Sequence, residues 1–246
     1  MLNEDLKSKL LYLKYRALLK NWDRYIEASG KPNASFLKLL VQIINDEYAA
    51  KKLYEKEGRI SRAKIGEYYA IETFPFERQP KINKKRILAI YDSLDFMDKR
   101  QNIIWIGPTG SGKTGLATAF LIHALNSGYT GRFIMFHELI DVLYKSLADR
   151  SEQQVLKKFS AYDCLLVDEI GYAEIEQAHV KLFFTLMQKR HKKKTTLVTT
   201  NLAFPEWDSF LKNPGLTSAL IDRLTDSSYV INMKHCITIR NPAEQL

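Results

Sequence analysis

The run Gly107-Pro108-Thr109-Gly110-Ser111-Gly112-Lys113-Thr114 constrains this 246-residue chain more than any other feature. Its spacing is that of the phosphate-binding loop, G-x-x-x-x-G-K-[ST], which requires a strand before it and a helix after it. Both are readable. Asn102–Ile106 has the character of a buried strand, and residues 114–126 have that of a helix stopped by Gly128. The glycines let the backbone curl so that successive N–H groups point inward at phosphate oxygens, and the helix N-terminus adds its positive end. Lys113 is then placed to reach the terminal phosphates, and the Thr114 hydroxyl to ligate Mg2+. The run predicts a nucleoside triphosphate site.

From residue 101 onward, strand-like and helix-like segments alternate, which predicts a parallel sheet with helices on both faces. The expected strands are 102–106, 132–136, 163–170, 195–201 and 228–233, with 236–240 as a last one. Ser151-Glu152-Gln153-Gln154 has the capping-box form and predicts a helix to Phe159. The apolar run Cys164–Val167 ends in Asp168-Glu169, the form of a Walker B strand. Such a strand carries two carboxylates to the sheet edge where the phosphates sit: Asp168 to hold Mg2+, Glu169 to activate the attacking water. The next strand, TTLVTTNL, ends on Asn201, whose amide suits a sensor contacting the γ-phosphate and the water, or else a strand-ending turn. In LTSALIDRL, Arg223 lies on an expected helix beside Asp222 and reads, from the chain alone, as an exposed arginine paired with an acid.

Residues 1–64 read as all-helical, with Leu6, Leu10, Leu13 and Ala17 on one stripe, a break at Gly30-Lys31-Pro32-Asn33, Ser35 as an N-cap and Gly58 as an interruption. Residues 65–100, broken by Pro75 and Pro80, read as a linker or docking segment ahead of an ATPase-type domain over 101–246. Net charge is +9 and unevenly placed: residues 1–100 hold 21 basic and 14 acidic side chains, the remainder 16 and 14. Lys and Arg interleaved with Tyr12, Tyr15, Trp22 and Tyr25 form either a DNA-contacting face or a small bundle with snorkelling basic side chains. Lys189, Arg190, Lys192, Lys193 and Lys194 cluster in one expected loop, either solvated or a phosphate-contact site for DNA. The two cysteines are too few for a disulfide framework or a four-ligand zinc site. The charged start MLNEDLKSKL and the lack of an 18-residue apolar run point to a cytoplasmic protein with no membrane partner.

Taken together, QNIIWIGP before the loop, DEIGY at Asp168–Tyr172, LVTTN and ALIDRL resemble the IstB-like ATP-binding family. These are AAA+ helper ATPases of insertion-sequence transposition, related to DnaC helicase loaders. The resemblance implies an AAA+ P-loop NTPase fold behind a small helical N-terminal domain, ATP and Mg2+ as cofactors, and hydrolysis of ATP. It also implies binding of double-stranded DNA, assembly as a homo-oligomeric ring or helical filament, and delivery of DNA to a transposase. Arg223 matches the family's arginine finger, delivered to the γ-phosphate of a neighbouring subunit. Three rivals stand beside this reading: a helicase loader, a small-molecule P-loop kinase and a non-hydrolysing scaffold. The chain departs from the family at Gly115, where His is usual, and in the tail KHCITIR, where GESYRL is frequent. The 23 residues after Arg223 are too few for a helical lid, so no second sensor arginine is assigned, Arg240 being no more than a candidate.

Overall fold

The computed structural model describes residues 2–79, 81–172 and 177–239. It divides into two compact units, Met1–Gly58 and Arg59–Leu246.

The first unit is helical. In place of one long first helix there are three short ones, α1 (Glu4–Tyr12), α2 (Arg16–Lys20) and α3 (Trp22–Ser29). The chain turns at Lys14, which takes the left-handed conformation (φ 60°). That turn breaks the expected apolar stripe: Leu10 and Ala17 are buried, whereas Leu13 is exposed. The long helix α4 (Phe36–Ala63) runs unbroken through Gly58, and Ser35 Oγ stands 3.5 Å from Lys38 N near its start. Polar contacts tie the unit together. Tyr25 O–H donates to Asp46 at 2.6 Å, Leu18 N–H donates to Glu47 at 2.6 Å, and the Arg16 guanidinium lies 3.6 Å from the centre of the Tyr54 ring. Burial, with Asp46 beside it, pushes the Tyr25 hydroxyl up to about 12. Tyr25 is therefore a core residue, while Tyr12 and Tyr15 are exposed.

The second unit is built on five parallel strands, β1 (Asn102–Ile106), β2 (Gly131–Met135), β3 (Cys164–Ile170), β4 (Thr195–Thr200) and β5 (Ser228–Asn232), in the order β2-β3-β4-β1-β5. The expected strand over 236–240 does not form: residues 233–239 are non-strand, and Arg240 lies outside the described residues. Around the sheet pack α5 (Lys84–Ser93), α6 (Asp95–Asp98), α7 (Lys113–Asn126), α8 (Phe136–Ala148), α9 (Glu152–Ala161), α10 (Gln177–Arg190), α11 (Trp207–Leu211) and α12 (Pro214–Thr225). Ser151 precedes α9, but its side chain makes no capping bond.

Side chains alternate across the sheet because the strand period is two. Ile103, Trp105, Cys164, Leu166 and Leu197 face one core with α7, while Ile104, Ile106, Leu165, Val167 and Val198 face a second core with α8, α9, α10 and α12. Strands buried on both faces in this way belong to parallel sheets. The stretch 65–100, expected as a linker or docking segment, is packed into the first core. Ile71, Phe74, Phe76, Ile82, Ile87, Ile90, Phe96 and Met97 are all buried there. Pro75 does not release the chain, because the apolar residues around it pack against α7.

Candidate functional site

The phosphate loop lies where β1 hands the chain to α7. Gly107 N–H bonds to Thr200 O at 3.1 Å, so the loop starts level with the end of β4. Gly110 (φ 77°) and Gly112 (φ 91°) take the left-handed conformation that gives the loop its curl and that residues with a Cβ avoid. Ser111 is buried and its hydroxyl donates to Pro108 O at 2.8 Å. Lys113, the first residue of α7, donates from Nζ to Pro108 O at 2.8 Å and is buried with the loop.

Strand parity decides what faces that loop. Asp168 shares the face of Cys164 and Leu166, and Thr199 shares the face of Leu197, so both point toward α7. There the Thr114 hydroxyl donates to Asp168 Oδ1 at 3.0 Å, and the Thr199 hydroxyl donates to the same oxygen. Burial raises the Asp168 carboxyl above its ordinary range, although the two hydroxyls and the Lys113 charge pull the other way.

At the next residue the strand breaks register. Val167 pairs with Val198, but Ile170 pairs with Thr200, so Asp168-Glu169 forms a bulge against Thr199. Glu169 takes φ 61°, and its N–H leaves the ladder to bond Thr199 Oγ1 at 3.0 Å. Bulges re-aim side chains beside active sites, and this one makes Glu169 a wall of the cavity over the phosphate loop.

That cavity, about 240 Å3, is lined by Thr109, Lys113, Thr114, Glu169, Tyr172 and Thr199 together with Tyr69, Ala70, Ile71, Thr73, Phe74, Pro75 and Ile239. Tyr172 and Thr109 hydroxyls are 2.7 Å apart across its mouth. The Tyr69 ring occupies the space beside Gly115, where a Cβ would approach it to 3.2 Å. The glycine that departs from the resemblance thus makes room for a ring lining the cavity. Asn201 follows β4 with its Oδ1 turned to Gly171, 2.7 Å from where a Cβ on that glycine would lie. This oxygen is buried and has no hydrogen-bond partner among the described residues.

Arg223 lies elsewhere. Its carbonyl accepts from Asn102 Nδ2 (3.4 Å) and contacts His191 Nδ1 (3.1 Å), which puts the end of α12 at the start of β1. A five-residue strand separates that edge from the phosphate loop by roughly 16 Å at ~3.3 Å per residue. The guanidinium donates to Ala219 O at 2.7 Å and lies over the Phe184 ring, and no acid among the described residues pairs with it.

The expected basic cluster separates into three kinds of residue. Arg190 is a correction: it is not a surface contact but a buried brace. Its guanidinium donates to Phe159 O and Tyr162 O at 2.8 Å each, to Thr196 Oγ1 at 3.0 Å, and to Thr195 O. Burial lowers its pKa to about 10. The cause is positional: Arg190 ends α10 one turn before β4, so it points into the seam between α9 and the sheet. Lys192 pairs with Asp226 and Lys194 with Asp163. Lys189 and Lys193 are exposed without an ion pair among the described residues.

Thr199, Tyr172 and residues 69–75 were not expected as site residues. Thr199 was detectable, since LVTTN places it two residues before Asn201 on the Asp168 side of the sheet. Tyr69 and Phe74 carried no signal, because their role depends on long-range packing.

The profile of the IstB-like ATP binding protein family matches residues 8–240. The chain belongs to that family. Among its relatives is the ATP-binding protein of insertion sequence IS232 from Bacillus thuringiensis, 32% identical over 230 residues that cover 94% of this chain and 92% of that protein. Among solved structures, DnaI (19% identity, TM-score 0.56) matches over 68% of this chain and 91% of its own. The DnaC helicase loader (20% identity, TM-score 0.52) matches over 62% and 92%. These likenesses define the fold of this IstB-like chain as an AAA+ P-loop sheet with flanking helices. No helix among the described residues is long and apolar enough to cross a membrane.

Proposed function

We propose that this IstB-like protein is an ATPase that assembles as a homo-oligomer, ring or filament, on double-stranded DNA and presents that DNA to the transposase of an insertion sequence. The observation that carries the reading is the division of the site. Lys113, Thr114, Asp168, Glu169 and Thr199 gather at one edge of the sheet, and Arg223 stands at the other. An arginine whose backbone lies at the far end of β1 from its own phosphate loop suits a head-to-tail assembly in which it completes a neighbour's site. The relatives' place in insertion sequences and the basic surplus of residues 1–100 support DNA and a transposase as partners.

Thr114 Oγ1 and Asp168 Oδ1, 3.0 Å apart, are hard oxygen donors of the type Mg2+ takes. A buried carboxylate with a raised pKa and no ion pair among the described residues also fits a site completed by a cation. Mg2+ there would neutralise charge on the phosphates. Glu169, re-aimed by the bulge, serves as general base for the attacking water, Lys113 holds the terminal phosphates, and Asn201 offers its amide to the γ-phosphate side. ATP binding closes subunit interfaces and hydrolysis opens them, so the nucleotide sets the lifetime of the assembly.

Fluorescence anisotropy on labelled duplex DNA tests this. Glu169→Gln with ATP forms longer-lived complexes than the parent, Lys113→Ala forms none, and affinity falls steeply across a salt series because phosphate contacts release counterions. A flat salt response, or equal complexes from both variants, would overturn the reading. A preference for single strands would favour the helicase loader.

A further inference from the structure

The site leaves one buried polar side chain unexplained. Gln79 is 1% exposed and lies between the phosphate loop and the segment that follows β5. Its Oε1 accepts from Ile237 N at 3.0 Å, and its Nε2 donates to Ile237 O at 2.5 Å. Both polar groups of one backbone residue are thus held by one amide. The amide's orientation follows from chemistry, since only an oxygen can accept from Ile237 N–H. Nε2 also lies 3.4 Å from Ser111 O, inside the phosphate loop.

The segment held in this way touches the loop directly. Ile239 N–H donates to Gly110 O at 2.9 Å. Thr238 fills the space where a Cβ on Gly110 would lie, and Ile239 Cδ1 would be 2.9 Å from a Cβ on Gly112. Farther back, Met233 N–H donates to Ile106 O at 2.6 Å, the last carbonyl of β1. Residues 233–239 therefore run along the outer side of the loop from its base to its crest, and Ile239 emerges as a wall of the cavity.

We propose that Gln79 is a positioning residue for the nucleotide: it clamps residues 236–239 against the phosphate loop, so that this segment holds the loop's curl and tightens when the loop is filled. Two bonds to Ile237 fix the segment, and the Ile239–Gly110 bond transmits its position to a loop carbonyl. The opposite faces of those peptides carry the N–H groups that phosphate needs. A loop already held in its curl loses less conformational freedom on binding, which raises affinity without adding a contact to the ligand. The proposal rests on the nucleotide-site reading and is independent of DNA, hydrolysis and Arg223.

Two measurements without DNA test it. In the first, a fluorescent ATP analogue with Mg2+ is titrated into the parent and into Gln79→Met, which keeps the volume and loses the amide. Loss of two net hydrogen bonds weakens binding about tenfold. Unchanged affinity would sink the proposal. In the second, hydrogen exchange at the Ile237 and Ile239 amides of the parent is compared with and without ATP and Mg2+. Slower exchange with nucleotide supports the clamp, and identical exchange refutes it; a residue that merely fills the core would not make these amides respond to ATP. Should Gln79→Met fail to fold, the exchange measurement on the parent decides alone. Failure of DNA binding would count against the proposed function and leave both results standing.

Discussion

Thr199 Oγ1 accepts the Glu169 N–H at 3.0 Å and so holds the left-handed residue at the bulge of β3. The same hydroxyl donates to Asp168, which leaves one threonine supporting both carboxylates of the site. A non-glycine residue at φ 61° costs of order 1–3 kcal/mol and persists only where its surroundings enforce it. Thr199→Val keeps the shape and removes both bonds. Its ATP turnover should fall by roughly tenfold to a hundredfold, in keeping with the 10²–10⁴ that a well-placed general base contributes. Nucleotide affinity should change far less, and Thr199→Ser should restore most of the turnover. Steady-state ATPase assays beside a binding titration check this, and equal losses of turnover in the Val and Ser variants would contradict it.

The Asp168 carboxyl is held above its ordinary range chiefly by burial, so its ionised form costs the nucleotide-free fold stability. The sign follows from proton linkage. The folded state keeps a proton that the unfolded chain releases, so this group's contribution falls as pH rises from the unfolded value through the raised folded one. Asp168→Asn keeps an oxygen acceptor for Thr114 and Thr199 without the charge. Measured by thermal melts in EDTA, it should be more stable than the parent by roughly 1 kcal/mol at neutral pH. The gain should vanish below the ordinary carboxylate range, while Mg2+-dependent ATP turnover is lost. A variant less stable than the parent at neutral pH would mean that the carboxylate contributes favourably even without a cation.

Much of this was legible in the sequence, for physical reasons that differ by element. The phosphate loop and β1 are local: glycine spacing and an apolar run suffice. Asp168 could be placed because a buried strand ending in two carboxylates has few alternatives. The bulge at Glu169 was not legible, since no glycine marks it and it depends on a hydroxyl from the next strand. The role of residues 69–75 is hidden because Pro75 and Pro80 suggest a linker, whereas Ile71 and Phe74 are buried beside the phosphate loop and α7, more than thirty positions away. The burial of Arg190 is hidden in the sequence for a related reason. A run of basic residues looks solvated until one of them meets three carbonyls.

Arg190 and Lys193 should therefore part company. Arg190→Ala leaves three carbonyls and a threonine hydroxyl without their donor in a buried seam, and should destabilise the fold by about 3 kcal/mol or more. Lys193→Glu should leave the melting temperature nearly unchanged. If the exposed lysines Lys189 and Lys193 meet DNA, the double Glu variant should weaken binding and flatten the salt slope by about one unit per lost phosphate contact. Melting curves and a salt series on duplex DNA separate the outcomes, and an unaltered slope would remove these two lysines from the DNA surface.

The separation of Arg223 from Lys113 leads to the most demanding prediction. If Arg223 acts across a subunit interface, each active site takes Lys113, Asp168 and Glu169 from one protomer and Arg223 from the next. Arg223→Ala protein then has an intact loop and base but leaves its neighbour incomplete, and Glu169→Gln protein has a dead site but still donates its arginine. Each alone should be nearly inactive, since an arginine finger contributes roughly a thousandfold or more to the rate. Mixed on DNA, some interfaces pair an intact site with an intact donor, and ATPase activity should partly return. In head-to-tail assembly the number of such interfaces follows the product of the two fractions, so activity should peak near an equal mixture. The guanidinium's present contacts, Ala219 O and the Phe184 ring, lie within its own subunit and would have to be given up for the neighbour's phosphate. Phe184→Ala, which removes one of them, should therefore leave the mixing behaviour intact. Mixtures as inactive as their components, with co-assembly verified by cross-linking, would confine Arg223 to a structural role in its own subunit.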